Sequence, residues 1–128
     1  IICGAGNQTI SGNAGMDVLT GGKGKDIFYF NTALAGDNVD TITDFNVRDD
    51  LLRLNDFNFD GLSIGALPKS AFAANRKGVA TDASDRIIYE TDTGKLFFDA
   101  DGKGGAGGIL FAEIDKGLKL TANDFEIY

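Results

Sequence analysis

The stretch Gly21-Gly22-Lys23-Gly24-Lys25-Asp26-Ile27-Phe28-Tyr29 decides the fold. Its first six residues form a turn. Glycines at the first, second and fourth places allow positive φ and close backbone approach, and the aspartate at the sixth bonds readily to neighbouring backbone. The last three place one apolar side chain inward between two that face out, the period of a short strand. Two earlier segments stack on it in nine-residue register: Gly12-Asn13-Ala14-Gly15-Met16-Asp17-Val18-Leu19-Thr20, and before that Cys3-Gly4-Ala5-Gly6-Asn7-Gln8-Thr9-Ile10-Ser11. Gly6, Gly15 and Gly24 share one position, Gln8, Asp17 and Asp26 another, and Ile10, Leu19 and Phe28 a third. Ile1 also falls on that third position, so the sequence opens inside a unit and is expected to be a fragment of a larger protein.

A three-residue strand is too short to stand alone. Stacked copies give each strand a hydrogen-bonded neighbour and bury the central residues as a ladder. The turns then stack as well, bringing carboxylates and glycine carbonyls of successive turns about one strand spacing apart, roughly 5 Å. Such a row of carboxylates repels itself. A calcium ion, which takes six to eight oxygen ligands, turns the repulsion into binding energy. The composition agrees, because sixteen of the nineteen acids are Asp and only Glu90, Glu113 and Glu126 are Glu. Charge kept only for solubility would be served as well by Glu, which favours helix.

Working outward, the chain has 128 residues, 18 glycines, a net charge of −7, one cysteine and no histidine or tryptophan. Without histidine there is no Ser-His or Cys-His nucleophile and no histidine zinc site. One cysteine cannot build an intramolecular disulfide framework. The net charge has the wrong sign for a phosphate backbone, so no nucleic-acid partner is expected. No apolar run approaches the roughly 18 residues of a membrane helix, so no membrane insertion is expected.

Gly21–Tyr29 matches the G-G-x-G-x-D-x-U-x pattern of RTX (hemolysin-type) calcium-binding repeats. Downstream, Val39-Asp40-Thr41-Ile42-Thr43-Asp44-Phe45 and Asp49-Asp50-Leu51-Leu52-Arg53-Leu54 resemble the segment that closes the roll in RTX-type exported proteins, including the serralysin-like C-terminal domain. Asp85-Arg86-Ile87-Ile88-Tyr89, Gly94–Gly102 and Leu120–Phe125 are similar to that family's last segments. The resemblance implies an all-β fold, a short parallel β-roll over residues 1–30 capped by an antiparallel, sandwich-like region over 31–128, the whole forming one domain. Two nonapeptides then make one coil, so loop 3–8 faces loop 21–26 and an ion lies between them. Gln8, Cys3 and Asn13 depart from the pattern. Gln8 loses a full charge, whereas Asn13 tolerates the left-handed region its glycine would occupy. Loop 12–17 would face the segment C-terminal to Phe30, with Asp40 and Asp44 closing a site with Asp17. The expected metal-binding residues are Gly15, Asp17, Gly22, Gly24, Asp26, Asp40 and Asp44, with Ca²⁺ as the ion.

Beyond the repeats, Asn31–Asn38 reads as a loop and Thr41–Leu54 as strands interrupted near Arg48-Asp49. Pro68–Ala74 reads as a short helix with proline in its first turn. Arg86–Glu90 and Lys95–Phe98 form a hairpin around Thr91-Asp92-Thr93-Gly94. Ile109–Ile114 is a strand, Thr121–Asp124 a single turn and Phe125–Tyr128 a final strand. Gly102-Lys103-Gly104-Gly105-Ala106-Gly107 fits G-x-G-x-x-G, yet strand-like residues come after it where a dinucleotide site needs a helix, and Asp99 and Asp101 would repel a pyrophosphate. Asp99-Ala100-Asp101-Gly102 starts like an EF-hand loop, but Leu110 occupies the twelfth place, so a polar turn is the simpler reading.

The resemblance implies a calcium-binding C-terminal module of a larger extracellular protein, secreted by a Gram-negative bacterium through a type I apparatus that reads an uncleaved C-terminal signal. Asp124-Phe125-Glu126-Ile127-Tyr128 is similar to such endings. No residue pair here is set up as acid and base, so catalysis is expected upstream of Ile1. The alternative is an extracellular adhesin or carbohydrate-binding module in which calcium only scaffolds the surface.

Overall fold

A computed structural model describes residues 1–34, 37–103 and 108–128. The chain is all-β, and the nonapeptides fold into the turn–strand units that their pattern predicts. Strands β1 (Thr9–Ser11), β2 (Val18–Leu19) and β3 (Ile27–Phe30) come from the three repeats, and β4 (Asp40–Ile42) and β5 (Leu51–Leu54) from the segments after them. Successive units alternate between two sheets, so each strand pairs in parallel with the strand two units on. Ile10 lies beside Phe28 and Phe28 beside Leu52 on one sheet, and Leu19 beside Ile42 on the other. Ile2 extends the second sheet through a parallel bridge to Thr20. The inward residues Ile10, Leu19, Phe28, Ile42 and Leu52 are buried. Burying each such side chain contributes about 1.5–3 kcal/mol, which offsets the ordering of the glycine-rich turns.

The remaining strands extend the same two sheets. They are β6 (Gly65–Ala66), β7 (Phe72–Asn75), β8 (Ile87–Glu90), β9 (Lys95–Phe98), β10 (Ile109–Glu113) and β11 (Phe125–Ile127). One sheet runs β1-β3-β5-β11-β6 and the other β2-β4-β10-β9-β8-β7. The cap is mixed rather than antiparallel throughout: β9 is antiparallel to β8 and β10, and β6 to β11. However, β10 continues the repeat sheet in parallel from β4, and β11 does so from β5. The core lies between the sheets, where Phe59 meets Phe98 and Phe111 edge-on at 5.3 and 4.9 Å. Such T-shaped contacts suit the ring quadrupole.

One further element of the cap departs from expectation. The expected helix at Pro68–Ala74 is a three-residue 3-10 turn, Lys69–Ala71, that gives way to β7, which pairs in parallel with β8. The sheet edge offers Phe72–Asn75 a full set of partners that one isolated helical turn cannot match. The 91–94 hairpin forms as expected; Gly94 has φ +85°, and a Cβ there would run into the Ile114 carbonyl. Thr121 and Asp124 cap the last 3-10 turn reciprocally, and β11 begins directly after it.

Candidate metal centre

Strand register sets the site. A polar residue stands immediately before each of β1, β2, β3 and β5 and opens β4, so parallel pairing stacks Gln8, Asp26 and Asp50 in one row and Asp17 and Asp40 in another. One hydrogen bond recurs down both rows. The amide of Gln8 donates to Asp26 Oδ1 at 2.9 Å, that of Asp26 to Asp50 Oδ1 at 2.9 Å, and that of Asp17 to Asp40 Oδ1 at 3.1 Å. Each acid that stacks on an earlier turn therefore spends one oxygen on that turn. The second oxygens of Asp17 and Asp26 are buried and accept no hydrogen bond. An unpaired buried carboxylate oxygen is costly, and these two belong to the repeat aspartates.

The glycines shape the space around them. A Cβ on Gly12 would sit 2.7 Å from Asp17 Oδ2 and 2.9 Å from Asp40 Oδ2, and one on Gly21 would sit 2.5 Å from Asp26 Oδ2. The first glycine of each of these units is therefore the floor on which the free carboxylate oxygen rests. Gly22 and Gly24 have φ of +84° and +122°, and a Cβ on either would strike the carbonyl of Gly4 or Gly6. Loop 3–8 thus faces loop 21–26, with its carbonyl oxygens against that loop. Gly15, at φ +114°, donates its amide to Asn38 Oδ1. Asn13 takes φ +62° in place of a glycine.

The sequence places Asp40 and Asp44 together in one site with Asp17, but the structure separates them. Asp40 stands beside Asp17, whereas Asp44 lies over the third turn and accepts the amides of Gly21 and Gly22 at 2.9 and 2.8 Å. Asp50, absent from the expected set, takes the place after Asp26 in the first row, and its other oxygen accepts the Asn46 amide. Its signal in the sequence is the Asp-Leu-Leu-Arg run, which copies Asp-Ile-Phe-Tyr of the third repeat.

Electrostatics mark the same rows. Burial, with the neighbouring Asp17 charge, raises the Asp40 pKa to about 6. Burial also raises Asp50, with Asp26 and Asp44 adding to the effect. Among the described residues, no lysine or arginine is ion-paired with these carboxylates; the pairs present are Arg53–Glu126 and Arg76–Asp92. No three acidic or thiol side chains among the described residues stand close enough to hold an ion unaided. A cation here needs backbone carbonyls as well, and the donor set of hard oxygens suits calcium.

The acidic turns of the cap are bonded differently. Asp99 Oδ1 accepts the amides of Asp101 and Gly102, and Asp85 Oδ2 those of Thr81 and Asp82. In the G-x-G-x-x-G stretch, Gly104–Gly107 lie outside the described residues, and the next element is the strand β10.

Turn–strand units wound between two sheets, with buried carboxylates stacked at their turns, define a repeat-built all-β protein with an oxygen-lined candidate cation site. Residues 4–33 match the family model of the RTX calcium-binding nonapeptide repeat (4 copies), so this segment carries repeats of the RTX, or hemolysin-type, calcium-binding kind. No curated protein and no solved structure matches it significantly.

Proposed function

We propose that this chain is a calcium-responsive module of a larger exported protein, one whose repeat turns close on Ca²⁺ outside the cell. The observation that carries the reading is the pair of buried, unpartnered oxygens on Asp17 and Asp26. One ion is held by Asp17, Asp40 and carbonyls of the turn containing Gly15. Another is held by Asp26 with carbonyls of the facing turns around Gly22 and Gly24. In a calcium-poor cytosol the acids oppose stacking. At about millimolar calcium outside, the weaker class of protein sites fills, and binding confined to the folded state adds stability by mass action.

Export through a type I apparatus fits this order of events. Phe125 and Ile127, in the stretch similar to export signals, are at most 1% exposed and sit in β11 between β5 and β6. A signal there is legible only before folding. Thermal melts in chelator, in magnesium and in calcium test the proposal. Calcium should raise the melting temperature, and magnesium, with its octahedral demand and tight hydration, should do so weakly. Equal melts in chelator and in about 10 mM calcium would overturn it.

A further inference from the structure

We infer that Asp44 is a clamp that fixes the third repeat turn, Gly21–Asp26, without a metal ion. Its two carboxylate oxygens accept the amides of consecutive residues, Gly21 and Gly22. Bonds from amides to a charged acceptor are stronger than neutral ones. At the other end of the turn, the Asp26 amide donates to Asp50 Oδ1 and the Asp26 carbonyl accepts the Leu51 amide. Asp50 is itself steadied by the Asn46 amide. Both ends of the turn are thus pinned by one short segment, residues 44–50, and β3 then pairs with β5 over four residues.

The second turn is held in another way. Asn13, the counterpart of Gly22 in the repeat, donates its amide locally to Ser11 Oγ at 3.3 Å. That turn is held through Gly15 to Asn38 and Asp17 to Asp40, and β2 pairs with β4 over two residues only. The clamp therefore sets a boundary: the third turn belongs with the cap, and the coil before it depends on something else to close. For that coil the inference rests on the calcium reading above; for the clamp it does not.

Hydrogen exchange on the whole chain, with amide resolution, tests this. In chelator, the amides of Gly21, Gly22 and Asp26, whose acceptors are the Asp44 and Asp50 carboxylates, should exchange at least about tenfold more slowly than those of residues 3–20. Asp44→Asn, which keeps the size but turns one of the two acceptors into a donor, should lower that protection at Gly21 and Gly22, abolishing it at the amide that faces the new donor, and leave the β8–β9 hairpin protected. It should also leave the number of calcium ions bound, measured by calorimetry, unchanged. Equal loss of protection in residues 3–20 and at Gly21, Gly22 and Asp26 on chelation overturns the clamp, as does a lower calcium stoichiometry in Asp44→Asn, which would make Asp44 a ligand. Protection at Gly21, Gly22 and Asp26 that survives chelation while calcium does nothing to residues 3–20 upholds the clamp and sinks the calcium reading alone.

Discussion

Replacing Asp40 by asparagine should stabilise the protein without calcium and destabilise it, relative to wild type, with calcium. The folded-state pKa of Asp40 is raised from 3.8 to about 6. At pH 7 the ionised carboxylate therefore costs the folded state about 3 kcal/mol relative to its neutral form, at about 1.4 kcal/mol per unit. Asparagine removes the charge and keeps the Oδ1 that accepts the Asp17 amide. It also places an amide where Asp40 Oδ2 now shares the floor of Gly12 with the unpartnered Asp17 Oδ2. Because the amide is still desolvated, the expected gain in chelator is about 1–3 kcal/mol, or roughly 5–10 °C in melting temperature for a chain of this size. At a calcium concentration 100-fold above Kd, wild type gains about 2.7 kcal/mol per site, and the variant forfeits the gain at the Asp17–Asp40 site. The two melting curves should therefore cross as calcium is titrated. Scanning calorimetry in chelator and in about 10 mM calcium reads both signs. A variant that melts below wild type in chelator, or that keeps the full calcium shift, refutes the reasoning.

The same rows of carboxylates carry further predictions. Asp40, Asp50 and Asp124 all hold protons more tightly in the folded state than in the unfolded chain. Stability in chelator should therefore be greatest near pH 4 and fall as pH rises to about 6, by up to about 1.4 kcal/mol per pH unit from Asp40 alone. Calcium affinity should rise over the same interval, and denaturant melts with calcium titrations at each pH check both. Gln8→Asp adds a carboxylate beside Asp26. It should lower stability in chelator and tighten calcium binding, a reversal that calorimetry reads directly. Gly22→Ala forces a Cβ into the Gly4 carbonyl at φ +84° and should cost about 1–3 kcal/mol in denaturant melts. Gly4→Ala, facing open space, should melt within about 0.5 kcal/mol of wild type.

The repeats are legible in the sequence because their stacking is periodic. The step from Gln8 to Asp26 is 18 residues, two nonapeptides, and the turn, the strand and the inward residue all recur with it. The same stacking continues from Asp17 to Asp40 and from Asp26 to Asp50, but there the step is 23 and 24 residues. The longer segments between units hide the period without breaking the ladder. For that reason the pattern does not reveal Asp50 and points Asp44 to the wrong turn. The Lys69–Asn75 stretch misleads for a related reason: short-range propensity sees Pro68 as a helix start, while the decisive partner, β8, lies a dozen residues on.

Sequence alone determined the unit of construction, the buried ladder of Ile10, Phe28 and Leu19, and the oxygen-rich chemistry of the turns, because all of these arise from contacts that repeat at constant spacing, whereas the two-unit coil came from the family resemblance. Which carboxylates meet, which oxygen of each is left without a partner, and how β10 and β11 carry the repeat sheets into the cap were decided by tertiary structure. Those contacts join segments separated by irregular lengths of chain, where strand register and burial, rather than any local pattern, choose the partner.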